Sequence, residues 1–103
     1  MTYQTISKVF KRGSTKKLAH RTYAVKDGDL ILLKYWNTAV LTFHPDGRVV
    51  VNSGGFRTKT TKRRINDHLE GRSIYQKKFD WFWDNGIPFE DGDIIKDGEL
   101  IVT

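Results

Sequence analysis

No residue of this chain is cysteine, which excludes disulfides and thiolate metal centres and makes a reducing cytosol the natural setting. Long apolar runs are missing as well. The longest continuous aliphatic stretch is Leu30 to Leu33, far short of the roughly 20 residues that a membrane span requires, so no transmembrane helix is expected. The amino terminus carries Lys8, Lys11 and Arg12 and no apolar block of signal-peptide length, so no secretion signal is read there. Acidic side chains are absent from the first quarter of the chain, the first being Asp27.

What is present suits one small domain. The chain has 103 residues, 38% hydrophobic and 13% aromatic, enough for a single modest core built from a few large rings. We read residues 1–103 as one domain, with 1–17 as a loosely ordered arm. The net charge of +6 conceals an asymmetry: residues 1–78 hold 17 of the 18 Lys/Arg and 5 of the 12 Asp/Glu, whereas residues 79–103 hold 7 acids and one Lys. A basic body of this kind attracts polyanions. The acidic end could fold back on it, repel nucleic acid from one face, or mark a second surface, and plain solvated faces are an equal alternative.

Along the chain, Tyr3, Ile6 and Phe10 suit one helical face, and the KRGSTKK stretch after them reads as loop. From Leu18 the strand signals become regular. LAHRTYAV, LILLKYW, AVLTF and RVVVN are separated by KDGD, an Asn37-Thr38 corner and HPDG, which predicts a four-stranded antiparallel meander over Leu18 to Asn52. Pro45-Asp46-Gly47 is the clearest turn, Pro presetting φ and Gly accepting a positive φ. From about Thr61 the spacing becomes helical. Ile65 and Leu69 then share a buried stripe that Arg63, Arg64 and Asp67 avoid, a threonine between Thr58 and Thr61 caps the start, and Gly71 ends it. In Asp80-Trp81-Phe82-Trp83 the alternation puts Trp81 and Trp83 on one face. Asp91-Gly92 and Asp97-Gly98 punctuate the apolar groups Ile94-Ile95 and Leu100-Ile101-Val102, so at least one more hairpin follows. The expected class is α+β: a small antiparallel sheet, a meander of about four strands plus a C-terminal hairpin, packed with one basic helix.

The informative stretch runs from Gly54 and Gly55 through Phe56, Arg57, Thr58, Lys59, Thr60, Thr61, Lys62, Arg63 and Arg64. Glycines, hydroxyls and cations at a helix start are good anion-binding chemistry, with free backbone N–H groups and the positive helix end facing an oxyanion. The spacing fits neither a P-loop nor a dinucleotide fingerprint. The structural alternative is that the glycines make a turn, a threonine caps the helix and the cations face water. Rings interleave with this charge at Tyr23, Tyr35, Trp36, Phe56, Tyr75, Trp81 and Trp83, as in single-strand binders, although about two thirds or more of the rings should be core. Catalytic signals are thin. His20, His44 and His68 have no metal-binding partners at helix or hairpin spacing, Asp91, Asp93, Asp97 and Glu99 fail the EF-hand pattern, and Ser53 forms no G-x-S-x-G elbow. We therefore expect no enzyme activity, no metal and no cofactor.

The run from Lys17 to Trp83 resembles a group of small bacteriophage-encoded proteins, including cyanophage ones. Their pattern is similar to His20–Tyr23, Asn37-Thr38 and, most specifically, Asn52–Asn66, here NSGGFRTKTTKRRIN. This chain departs from it with Phe56 in place of Trp and Trp36 in place of His. The resemblance implies a phage protein in the cytoplasm of an infected bacterium and brings no catalytic residues with it. The leading expectation is a non-catalytic nucleic-acid-binding protein in which Arg57, Lys59, Lys62, Arg63 and Arg64 supply charge, Thr58, Thr60 and Thr61 hydroxyls, and Phe56 a stacking ring, for DNA or RNA. The rival is an inhibitor or modulator that docks the same basic surface on an acidic host or defence protein.

Overall fold

The computed structural model describes residues 1–10 and 12–101. Lys11 and Val102, both counted above, lie outside the described residues. The protein is α+β, a large antiparallel sheet with a smaller two-stranded one and one main helix.

Five strands follow one another as a meander: β1 (Thr15–Ala19), β2 (Thr22–Asp27), β3 (Leu30–Tyr35), β4 (Thr38–Phe43) and β5 (Arg48–Val51). The expectation was four. LAHRTYAV contains a reversal at His20-Arg21 that has neither Gly nor Pro, and Arg21 takes the left-handed φ of 54° itself. That strand begins inside the KRGSTKK stretch expected as loop. The corner after β3 also falls one residue early, at Trp36-Asn37, because Tyr35 pairs with Thr38. The HPDG turn forms as read, with Gly47 at φ 97°. The Arg48 backbone N–H there donates to the Asp46 carboxylate at 3.0 Å and, as the largest cause, holds that carboxyl below its ordinary range.

Register explains the core. Ala24, Leu33, Leu41 and Val51 face one another across β2 to β5, and Ile31, Phe43, Val49 and Ile95 form a parallel row. All are buried. A bulge in β4 inserts Val40 between Leu41 and Ala39, so Val40 and Leu41 are buried in succession.

The acidic end folds back. β8 (Asp93–Lys96) pairs with β5 and carries β9 (Glu99–Ile101) beyond it, giving the order β1-β2-β3-β4-β5-β8-β9. A second hairpin, β6 (Ile74–Lys77) and β7 (Asp80–Trp83), stands apart as its own sheet. Its alternation buries Trp81 and Trp83, and both rings meet Phe89, at centroid distances of 5.7 and 5.6 Å. Several acids are absorbed internally: Asp93 accepts the Trp83 indole N–H at 2.8 Å, and Arg72 binds Asp84 at 2.6 Å.

Among the described residues two helices cover the core. α1 (Tyr3–Ser7), in the segment read as an arm, inserts fully buried Ile6. α2 (Lys59–His68) starts at its N-cap Thr58 and buries Thr61 and Ile65. Leu69, also buried, is the C-cap, so the helix ends at His68, three residues before Gly71. Asn66 fastens α2 to the small sheet by donating to the Ile74 carbonyl and accepting from its N–H, both at 2.8 Å. Ile65→Ala is expected to lower the unfolding free energy by about 2–5 kcal/mol, as a fully buried aliphatic should. Denaturant titration reads this out, and an unchanged midpoint would show that the stripe does not hold the helix.

Candidate functional site

The site begins where β5 ends. Ser53 is fully buried, and its N–H and hydroxyl both donate to one oxygen of Asp91, at 2.7 and 2.8 Å. Asn52 Oδ1 accepts from Gly54 N–H at 2.6 Å, and Ser53 Oγ from Gly55 N–H at 3.2 Å. The Phe56 N–H donates to the Ser53 carbonyl at 3.0 Å. Gly54 and Gly55 have φ of 65° and 81°, the left-handed region glycine occupies without strain. A Cβ on Gly54 would collide with Thr38 Cγ2 and lie 3.0 Å from its Oγ1, so this glycine lets the loop press on the β3–β4 hairpin.

These contacts correct one expectation. The N–H groups of Gly54, Gly55 and Phe56 are already bonded within the loop, so they do not form a nest for an oxyanion. The hydroxyls divide in the same way. Thr58 Oγ1 accepts from Thr61 N–H at 3.2 Å and meets Thr61 Oγ1 at 3.0 Å. Both threonines therefore serve the cap, while Thr60 is exposed.

The cations also separate. Arg63, with a side chain 77% exposed, and Arg64, 17% exposed, each lie 3.8 Å from Asp67. Arg64 is not a free surface charge. Its guanidinium sits 5.7 Å from the Tyr35 ring centre, and its Nε is buried with no partner among the described residues. Arg57 lies over Phe89 at 5.1 Å and Trp81 at 5.8 Å, capping the aromatic core from outside. Lys59 is exposed and Lys62 half-buried. The surface charge available to a partner is thus Arg57, Lys59, Lys62 and Arg63.

Between this segment and the β3–β4 tip lies a cleft of about 620 Å³, lined by Tyr35, Trp36 and Asn37 of the tip and by Phe56 and Thr60 of the segment. Phe56 is 64% exposed and Trp36 55%. The Arg21 guanidinium stands over the Trp36 ring at 4.2 Å, and the Trp36 N–H donates to the Arg21 carbonyl at 2.8 Å. From the sequence, Arg21 and Asn66 have no individual part, Asn37 reads only as a turn residue and Asp91 only as a turn residue or calcium ligand. Their parts here depend on partners distant in sequence, whereas Trp36 and Phe56 are legible as rings amid cations. Among the described residues no cluster of metal-ligating side chains occurs, and no helix is long and apolar enough to cross a membrane.

Fold and site together define a small α+β protein with a basic edge beside exposed rings. The profile of the Kyanoviridae Gp96 protein family matches residues 1–96, and the chain belongs to that family of phage proteins. No curated protein and no solved structure matches it.

Arg63→Ala is expected to change stability by no more than about 0.5 kcal/mol, because an exposed helix ion pair contributes about 0.3–0.5 kcal/mol. Arg64→Ala should cost more, since its side chain is mostly buried and its guanidinium lies over the Tyr35 ring. Thermal melts of the two variants decide this, and equal shifts would show that Arg64 is as free as Arg63.

Proposed function

We propose that the protein is a non-catalytic, phage-encoded nucleic-acid-binding protein that acts in the infected bacterium and grips phosphates with its loop and helix start. The observation that carries this reading is the crowding of Arg57, Lys59 and Lys62 around the first turn of α2, where no acidic residue stands. A helix start carries about half a positive charge, and cations there are unfavourable by about 0.3–1 kcal/mol each. Folding alone would place acids at those positions. A bound polyanion turns the same arrangement into an attraction, and exposed Phe56 and Thr60 supply stacking and hydroxyl contacts beside it.

The test is a salt series of binding to DNA and to RNA, for the wild type and for a variant with Lys59, Lys62 and Arg63 replaced by alanine. The wild type should lose affinity steeply with salt. The variant should melt no lower, bind more weakly, and show a slope reduced by about 0.7–0.9 for each phosphate contact removed. Unchanged affinity and slope would remove the basic segment from the interface.

One observation favours a second reading, a modulator that binds a host protein. Phe79, at the tip of the β6–β7 hairpin between Lys78 and Asp80, is 92% exposed, and Tyr75 on the same hairpin is also exposed. The nucleic-acid reading makes no use of either ring. A single stoichiometric host protein, recovered after nuclease treatment and lost with Phe79→Ala, would favour this alternative.

A further inference from the structure

Trp36 occupies a costly place. It is the first of two residues in the β3–β4 hairpin loop and has a φ of 56°, where hairpins prefer glycine or asparagine. A bulky side chain in the left-handed region is an outlier, of the kind that gathers at ligand sites. The ring is not compensated by burial, since more than half of the residue faces solvent. Its tie to Arg21, through the backbone bond and the guanidinium over the ring, occupies one face of the indole and leaves the residue more than half exposed. Phe56 is the other large exposed ring of the cleft, on a loop whose Gly54, Gly55 and Phe56 N–H groups are bonded within it.

From this geometry we infer that the cleft between Trp36 and Phe56 takes an unpaired base of a single-stranded polynucleotide. The inference rests on the nucleic-acid reading above and names what that site recognises. Three observations choose a base over other planar groups. The two walls are aromatic and half-exposed, which suits stacking on a flat ring. Asn37 and Thr60, both exposed, place a carboxamide and a hydroxyl at the same cleft, able to donate to and accept from a base edge. The surroundings are cationic, with Arg21 on the Trp36 ring, Arg57 beside Phe56, and Lys59 and Lys62 beyond, so the strand attached to the base finds charge on both sides. A paired base cannot enter, because its faces are covered by its neighbours in the stack. The cleft therefore selects single strands from duplexes, and its two hydroxyls already used in the helix cap leave base discrimination weak.

The experiment compares labelled strands of equal length: single-stranded DNA, single-stranded RNA, duplex DNA, and an abasic sugar-phosphate strand. Base-bearing single strands of one or both sugars should bind about tenfold or more tighter than the abasic strand and the duplex. Phe56→Ala and Trp36→Gly should each remove most of that margin while leaving abasic affinity in place, glycine being the residue that accepts the backbone at position 36 without strain. The unaltered protein gives an independent readout. Trp81 and Trp83 are buried, so quenching of tryptophan emission by base-bearing strands, and not by the abasic strand, reports Trp36. Equal, salt-sensitive binding of abasic and base-bearing strands would overturn the base cleft and leave the phosphate reading standing. No binding to any strand would overturn both, and a host protein whose binding needs Trp36 and Phe56 would assign the cleft to a protein partner instead.

Discussion

The paired hydrogen bonds from Ser53 to Asp91 are the constraint on which the site depends. They join the end of β5 to the chain entering β8 at a fully buried serine, where an unpaired acceptor or donor would cost about 1–3 kcal/mol. With Ser53 fixed, Gly54 and Gly55 have one way to turn, and Gly54 is pressed onto Thr38. That contact sets the separation of the Phe56 loop from the Trp36 hairpin tip. The cleft is thus a by-product of how the sheet is closed, and its two aromatic rings are carried by parts of the chain that meet at Gly54 and Thr38.

A consequence is that stability and function draw on different residues of one short segment. Thr58 and Thr61 cap α2, Ile65 anchors it, Asn66 fastens it to the small sheet, and Arg64 packs against Tyr35. Lys59, Lys62 and Arg63 do none of these. The cations at the helix start even oppose the helix dipole, so the same ten or so residues contain both a well-satisfied scaffold and an unsatisfied charge. Trp36 shows the same conflict in the backbone. Positions that break a local rule without a folding benefit are where function is expected to lie, and Trp36 and the helix-start cations are two such features beside one cleft.

Much of the fold was legible because its signals are local. The alternation in LILLKYW, AVLTF and RVVVN, the Pro45-Asp46-Gly47 turn, the Thr58–Thr61 cap and the Ile65–Leu69 stripe all depend on neighbours within a few residues. The reversal at His20-Arg21 was not, since no turn residue marks it and register with β2 decides it. The position of the β3–β4 corner depended likewise on the pairing of Tyr35 with Thr38. In the site, the basic segment could be read from composition, but the division of labour within it could not. Whether Arg64 or Arg63 is free depends on where Tyr35 lies, and whether the loop N–H groups are available depends on Asn52, Ser53 and Asp91 together. The acidic end, ambiguous as a charge run, resolves into strands once Asp93 is seen to accept from Trp83.

The most direct test of where the partner binds is a titration of the isotope-labelled protein with a single-stranded oligonucleotide, followed by backbone amide and indole resonances. Shifts should gather at residues 36–38 and 56–63 and at the Trp36 indole, with the indoles of Trp81 and Trp83 nearly still. Shifts confined to the β6–β7 hairpin, to the outer strands β1 and β9, or absent at every strand concentration would contradict the account.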